Sequence, residues 1–165
     1  MRFDGPSLEM IYQLGERGRI PLDPALYLEA RENGDELEIE PKLLLAHRHG
    51  PVLGVVNLIG EYETHHTGDE QGESEKSLRV SGGLTRELGA TWALGLEAFY
   101  HRRLDEDAGN PSALFAGPTL NFQATKLQLA LGWHPQWWGD PDSSGGLDLA
   151  DFPRSEFRLI LGTDL

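Results

Sequence analysis

Residues 90–101 read ATWALGLEAFYH, and they alternate almost without error. Trp92, Leu94, Leu96, Ala98 and Tyr100 fall on one side of an extended chain, and Ala93, Gly95, Glu97, Phe99 and His101 on the other. One side is apolar with an aromatic ring at each end. The other is small or charged. Such a strand either buries its apolar side in a protein core or turns it to lipid, and that choice decides the fold.

The same period of two recurs along the chain. Nine segments carry it, near residues 7–14, 22–31, 36–47, 51–62, 76–87, 90–102, 112–123, 126–135 and 155–165. Most reach the roughly 9–11 residues with which a tilted strand crosses a bilayer. An ordinary strand averages nearer about 5–6. No long stretch has a 3.6-residue apolar period, and 20 glycines and 10 prolines punctuate the 165 residues. A helical span would need a run of about 20 apolar residues, and none occurs. The expectation is an all-β protein, an antiparallel up-and-down transmembrane β-barrel with about nine strands visible, forming one domain over residues 1–165.

Composition is compatible with that reading. Hydrophobic residues make up 39% of the chain and mean hydropathy is −0.40, but only every second residue of a barrel strand meets lipid. A net charge of −13 argues against nucleic acid as a partner. There is no cysteine, hence no disulfide and no thiolate metal site. MRFDGPSLEM shows no basic region followed by an apolar core. We read the chain as a mature one, or as starting inside a longer protein.

Connections sort by length. GERGRIP, RHG, LGA and QAT are tight, whereas ENGD, ETHHTGDEQGES, RLDEDAGNP and QWWGDPDSSGGLDLADFPR are mostly longer and acidic. Short turns at one end and long loops at the other characterise outer-membrane barrels. On the apolar faces, rings sit near the strand ends. Tyr12, Trp92 and Phe122 mark the short-turn end, and Tyr62, Tyr100, Trp133 and Phe157 the long-loop end, with Val56, Leu58, Leu94, Leu96, Leu129, Leu131, Leu159 and Leu161 between. Two aromatic levels around an aliphatic band suit the two membrane interfaces.

The opposite faces carry Glu29, Glu38, Glu40, Lys42, Glu61, Arg79, Glu97, His101, Glu156 and Arg158. These residues are expected to line the lumen, with Lys42, Arg79 and Arg158 as counter-ions, because an unpaired buried charge is costly. In a soluble protein the same face would simply be solvated. Pro41 and Pro118 fall on the apolar faces, where a central strand would lose a ladder hydrogen bond.

Several ordered motifs then point to a family. They are ELEIEPKLLLAHRHG, VVNLIGEYE, GGLTRELGATWALGLEAFYHRR, ALFAGPTLNFQ and EFRLILGTDL. From about residue 24 to the end, the chain resembles the C-terminal part of a poorly characterised family of Gram-negative outer-membrane β-barrels. The resemblance implies a bacterial outer-membrane location and a transporter or porin-like role. It also implies contact with outer-membrane lipid and the barrel-assembly machinery, and carries over no catalytic residue. The chain departs from the pattern by ending in Leu165 rather than an aromatic and by lacking the upstream part. Counting nine strands back from a periplasmic C-terminus also suggests missing N-terminal strands, since bacterial barrels have even strand numbers. Open strand edges would then favour self-association.

Candidate chemistry is sparse. His65 and His66 lie in an acidic stretch with Glu63, Asp69, Glu70 and Glu73, a ligand set that suits a divalent metal, but a solvated loop explains it as well. His101 precedes Asp105, Glu106 and Asp107, and an imidazole–carboxylate pair can activate water. A charged rim is the simpler explanation. We expect no cofactor, no resident metal and no catalysis. The preferred function is a porin-like channel or transporter with an acidic lumen, passing a small solute or cation. The alternatives are a soluble β-barrel or sandwich with Leu94 and Leu96 turned inward around an apolar ligand, and a rim hydrolase using His101.

Overall fold

A computed structural model describes residues 5–34, 36–66, 72–104, 110–140 and 146–163. Nine strands form one antiparallel sheet: β1 (Ser7–Gln13), β2 (Ala25–Glu32), β3 (Glu36–His49), β4 (Val52–His65), β5 (Ser74–Leu88), β6 (Trp92–Arg103), β7 (Ser112–Gln123), β8 (Leu127–Asp140) and β9 (Ser155–Thr163). Each pairs only with its sequence neighbours, in the order β1 to β9. The sheet is not closed, and no helix among the described residues is long and apolar enough to cross a membrane. Because directions alternate through nine strands, β1 and β9 run the same way.

The strands lie close to where the period of two places them, with two instructive differences. β2 starts at Ala25, not near residue 22. Leu22 and Asp23 both have positive φ, and Pro24 follows. This backbone cannot continue a strand, so residues 14–24 form a longer turn closed by Leu14 N–H donating to Pro24 O at 3.0 Å. β8 runs on to Asp140, well past residue 135. It absorbs an extra residue, because the register shifts between Leu114–Trp138 and Phe115–Gln136. Trp137 is the bulged residue, and its indole N–H donates to Ala116 O at 2.8 Å. The prolines sit where the ladder is interrupted. Pro41 lies between the pairs Ile39–Tyr62 and Lys42–Ile59, and Pro118 between Phe115–Gln136 and Thr119–Gly132.

The register puts all ten expected lining residues on one face and all seven expected interface aromatics on the other. In a flat single sheet both faces would be equally open. Here they are not. Phe99, Phe115 and His134 are fully buried on the polar face, whereas Leu94 and Leu96 on the apolar face are 51% and 67% exposed. The sheet therefore curls with its polar face inside. An inward-facing Leu94 and Leu96, as a soluble apolar-ligand binder requires, is not what the fold shows.

Candidate functional site: the inner polar face

Inside the curl lie three regions. The first is acidic and spans β2 and β3. Glu29 is directly opposite Glu40 in the register, and such a like-charged pair needs cations. Arg31 supplies one, donating to Glu29 at 2.8 Å and to Glu38 at 3.0 Å. Tyr27 O–H donates to Glu29 at 2.8 Å. Lys42 pairs with Glu40 and stands over the Tyr27 ring. Arg31 shares the period of Glu29 but was not among the residues singled out from the sequence.

The second region crosses β6 to β9. Arg158 donates to both Glu97 oxygens, at 2.9 and 3.1 Å. His134 Nε2 lies 3.3 Å from Glu97 Oε2 and its ring edge meets Phe99. Gly117 and Gly132 make room. A Cβ on Gly117 would strike the Trp133 carbonyl, and one on Gly132 would stand 2.6 Å from the His134 ring. Two of the expected counter-ions thus neutralise glutamates. Arg79 does not do so among the described residues. It reaches His101 Nδ1 at 3.4 Å and covers the Phe99 ring at 5.1 Å. Glu61 instead accepts from Ser77 Oγ at 3.1 Å. Glu156 lies opposite His134 in the ladder.

The third region is the long-loop rim, past the aromatic level of Tyr62 and Tyr100. The long connection after β8 does not simply project. Its residues 146–154 fold onto the polar face, with Phe152 packed edge-on to His101 at 5.4 Å and to Phe115 at 6.4 Å. Asp148 is buried. Its Oδ1 accepts from the Ala150 and Asp151 amides, and its carbonyl accepts from Gln136 Nε2 at 2.8 Å. No local pattern announced this strap, since Phe152 docks on rings far off in sequence. Burial first, and then the charges of Arg79 and Arg103, push His101 down to about 4, so its imidazole is neutral at pH 7. Asp105, Glu106 and Asp107, the carboxylates a His101 hydrolase would use, lie outside the described residues.

The rim also gathers Glu36, Glu63 and His65, one ligand atom from each lying within 4.8 Å of the others. Glu36 opposes His65 across the β3–β4 ladder. The three could supply a partial ligand set for one divalent cation. Asp69 and Glu70 lie outside the described residues, and His66 is exposed. Glu63 is pushed up to about 7, mainly by burial, then by its hydrogen bond with Glu36 and the charges of Glu36, Glu75 and Glu61. A carboxyl whose folded pKa is raised contributes stability that is present below its unfolded value and lost as pH rises through about 7. Glu63→Gln is therefore expected to raise the melting temperature above pH 7 and to leave it nearly unchanged below pH 4. An unchanged melting temperature at pH 8 would show that Glu63 ionises freely.

On the outer face, Trp92 and Phe122 pair at 4.8 Å between ring centroids, and Trp133 stacks on Phe157 at 6.2 Å. Tyr12, Tyr62, Trp92, Trp133 and Phe157 are exposed, and Tyr100 and Phe122 half-buried.

Residues 42–165 match the model of a protein family described as a family of unknown function (DUF6662). No curated protein matches the chain, and no solved structure matches it.

Proposed function

We propose that this chain, which belongs to the DUF6662 family of unknown function, forms the wall of a bacterial outer-membrane β-barrel with a porin-like or transporter role. One observation carries the reading: the sheet curls around its charged face and leaves its apolar face outside. Leu8, Met10, Leu26, Leu28, Val56, Leu58, Leu78, Val80, Leu84, Leu159 and Leu161 are all exposed there. A contiguous apolar surface of this extent is foreign to soluble monomers. It suits hydrocarbon, with the ringed ends of the strands at the headgroups. The motif resemblance to outer-membrane barrels supports the same assignment.

In a bilayer no strand edge can be left unpaired. β1 and β9 run in the same direction, so they could meet directly only as a parallel pair. Antiparallel closure takes an odd number of further strands.

Connections at the two ends test the orientation. The turns at 50–51 and 89–91 are tight, with Gly50 and Gly89 in the left-handed region. The connection between His65 and Ser74 is long and acidic, and residues 146–154 are tucked inside. Proteinase added to intact cells that produce the protein is expected to cut between residues 66 and 73 and to spare 50–51 and 89–91. Cleavage at the tight turns, or recovery of the protein in the aqueous fraction without detergent, would overturn the reading.

A further inference from the structure

Across β2 and β3, charges pair off. Between β4 and β9 a cavity of about 220 Å3 instead sets uncharged polar groups beside the aliphatic Val55, Ala130 and Ile160. A Cβ at Gly95 would stand 2.7 Å from both Thr85 Oγ1 and Thr119 Oγ1. The two hydroxyls therefore lean over one missing side chain from the strands on either side. On one flank Asn57 Nδ2 donates to Ser81 Oγ at 3.1 Å. Asn121 lines the other flank. Glu97 and Arg158 also face the cavity, but each neutralises the other.

We propose that this cavity is a binding site for a small neutral polyhydroxylated solute, a polyol or monosaccharide. Each hydroxyl of such a solute both donates and accepts, as do the threonine, serine and asparagine groups around it. An apolar solute would strip water from those groups without replacing its hydrogen bonds. A charged one would find its counter-ion already engaged. The space of about 220 Å3 has room for one six-carbon polyol or monosaccharide. The proposal rests on the lumen reading only for the claim that the solute is in transit. Binding must then be weak enough to allow release.

The test is a saturation-transfer NMR titration of the detergent-solubilised protein with sorbitol and D-glucose. Sodium glutamate and lysine hydrochloride serve as charged comparisons. The neutral solutes are expected to bind with millimolar Kd. Thr85→Val together with Thr119→Val should weaken them at least about tenfold, the loss expected for two hydrogen bonds. Thr85→Ser with Thr119→Ser keeps both hydroxyls and should bind like the parent. No binding by either neutral solute, equal affinity in the valine variant, or tighter binding of a charged solute would overturn the site. Swelling of proteoliposomes in the same solutes separates the two claims. Binding without swelling leaves the site standing and removes the lumen reading, whereas swelling without binding removes the site.

Discussion

Leu94→Arg is expected to destabilise the protein in lipid vesicles by more than Trp92→Arg, toward the about 2–4 kcal/mol that a cation costs on a barrel's outer face at the bilayer midplane. Leu94 is on the outer face of β6, two residues beyond the Trp92 ring that packs on Phe122. Trp92→Arg should cost less than Leu94→Arg, because the penalty falls to about 0–1 kcal/mol near the interface. In water neither site would show a depth trend. An exposed leucine on a soluble sheet tolerates arginine within about 0.5 kcal/mol. Urea unfolding of the two variants in vesicles, followed by tryptophan fluorescence or heat-modifiable migration, measures the difference. Equal losses at the two positions, or none at Leu94, would mean that the outer face does not meet hydrocarbon.

Phe115→Ala is expected to cost about 3–5 kcal/mol, the range for truncating a fully buried phenylalanine. Phe115 has no exposed surface, stacks on Phe99 at 4.9 Å and meets Phe152 edge-on. Its removal opens a space on the polar face and unseats the strap that carries Phe152. The expected readouts are a lower urea midpoint and faster proteolysis between residues 146 and 154. A loss below about 1 kcal/mol would show that the site collapses freely and that the strap is not anchored there. The effect is counter-intuitive for a face read as polar. Phe99, Ala113, Phe115 and Phe152 form its one buried apolar cluster among the described residues, and they lie in the loop-side half of the inner face.

The two variants probe opposite faces of one sheet, and they divide the protein along the line between local and non-local information. The strands and the two-face sorting were legible because side-chain alternation is a property of the extended backbone itself. Residues 90–101 declare their two faces with no knowledge of any other strand. The seven outer-face aromatics and the ten charged or polar residues followed from the same rule, and the register of all eight strand pairs keeps them apart. Where local chemistry broke the alternation, the sequence reading slipped: at Leu22 and Asp23 before Pro24, and at the Trp137 bulge.

Partnerships were less legible. Lys42 and Arg158 were expected to meet glutamates and do. Arg79 meets His101 instead, its direct cross-strand partner in the β5–β6 ladder. Arg158 on β9 reaches Glu97 on β6 over two intervening strands, past glycines at 117 and 132. Glu36, Glu63 and His65 come together only through the β3–β4 register and the rotamers at the rim. The strap at 146–154 carries no periodic signal. Its place is set by Phe152 finding Phe115 and by Asp148 satisfying amides of its own turn. Alternation along the backbone is repeated in every strand and needs no partner, so it can be read directly from the chain. The side of the sheet that turns inward, and the groups that meet there, arise from curvature and loop return summed over the whole sheet, and only the folded chain contains that sum.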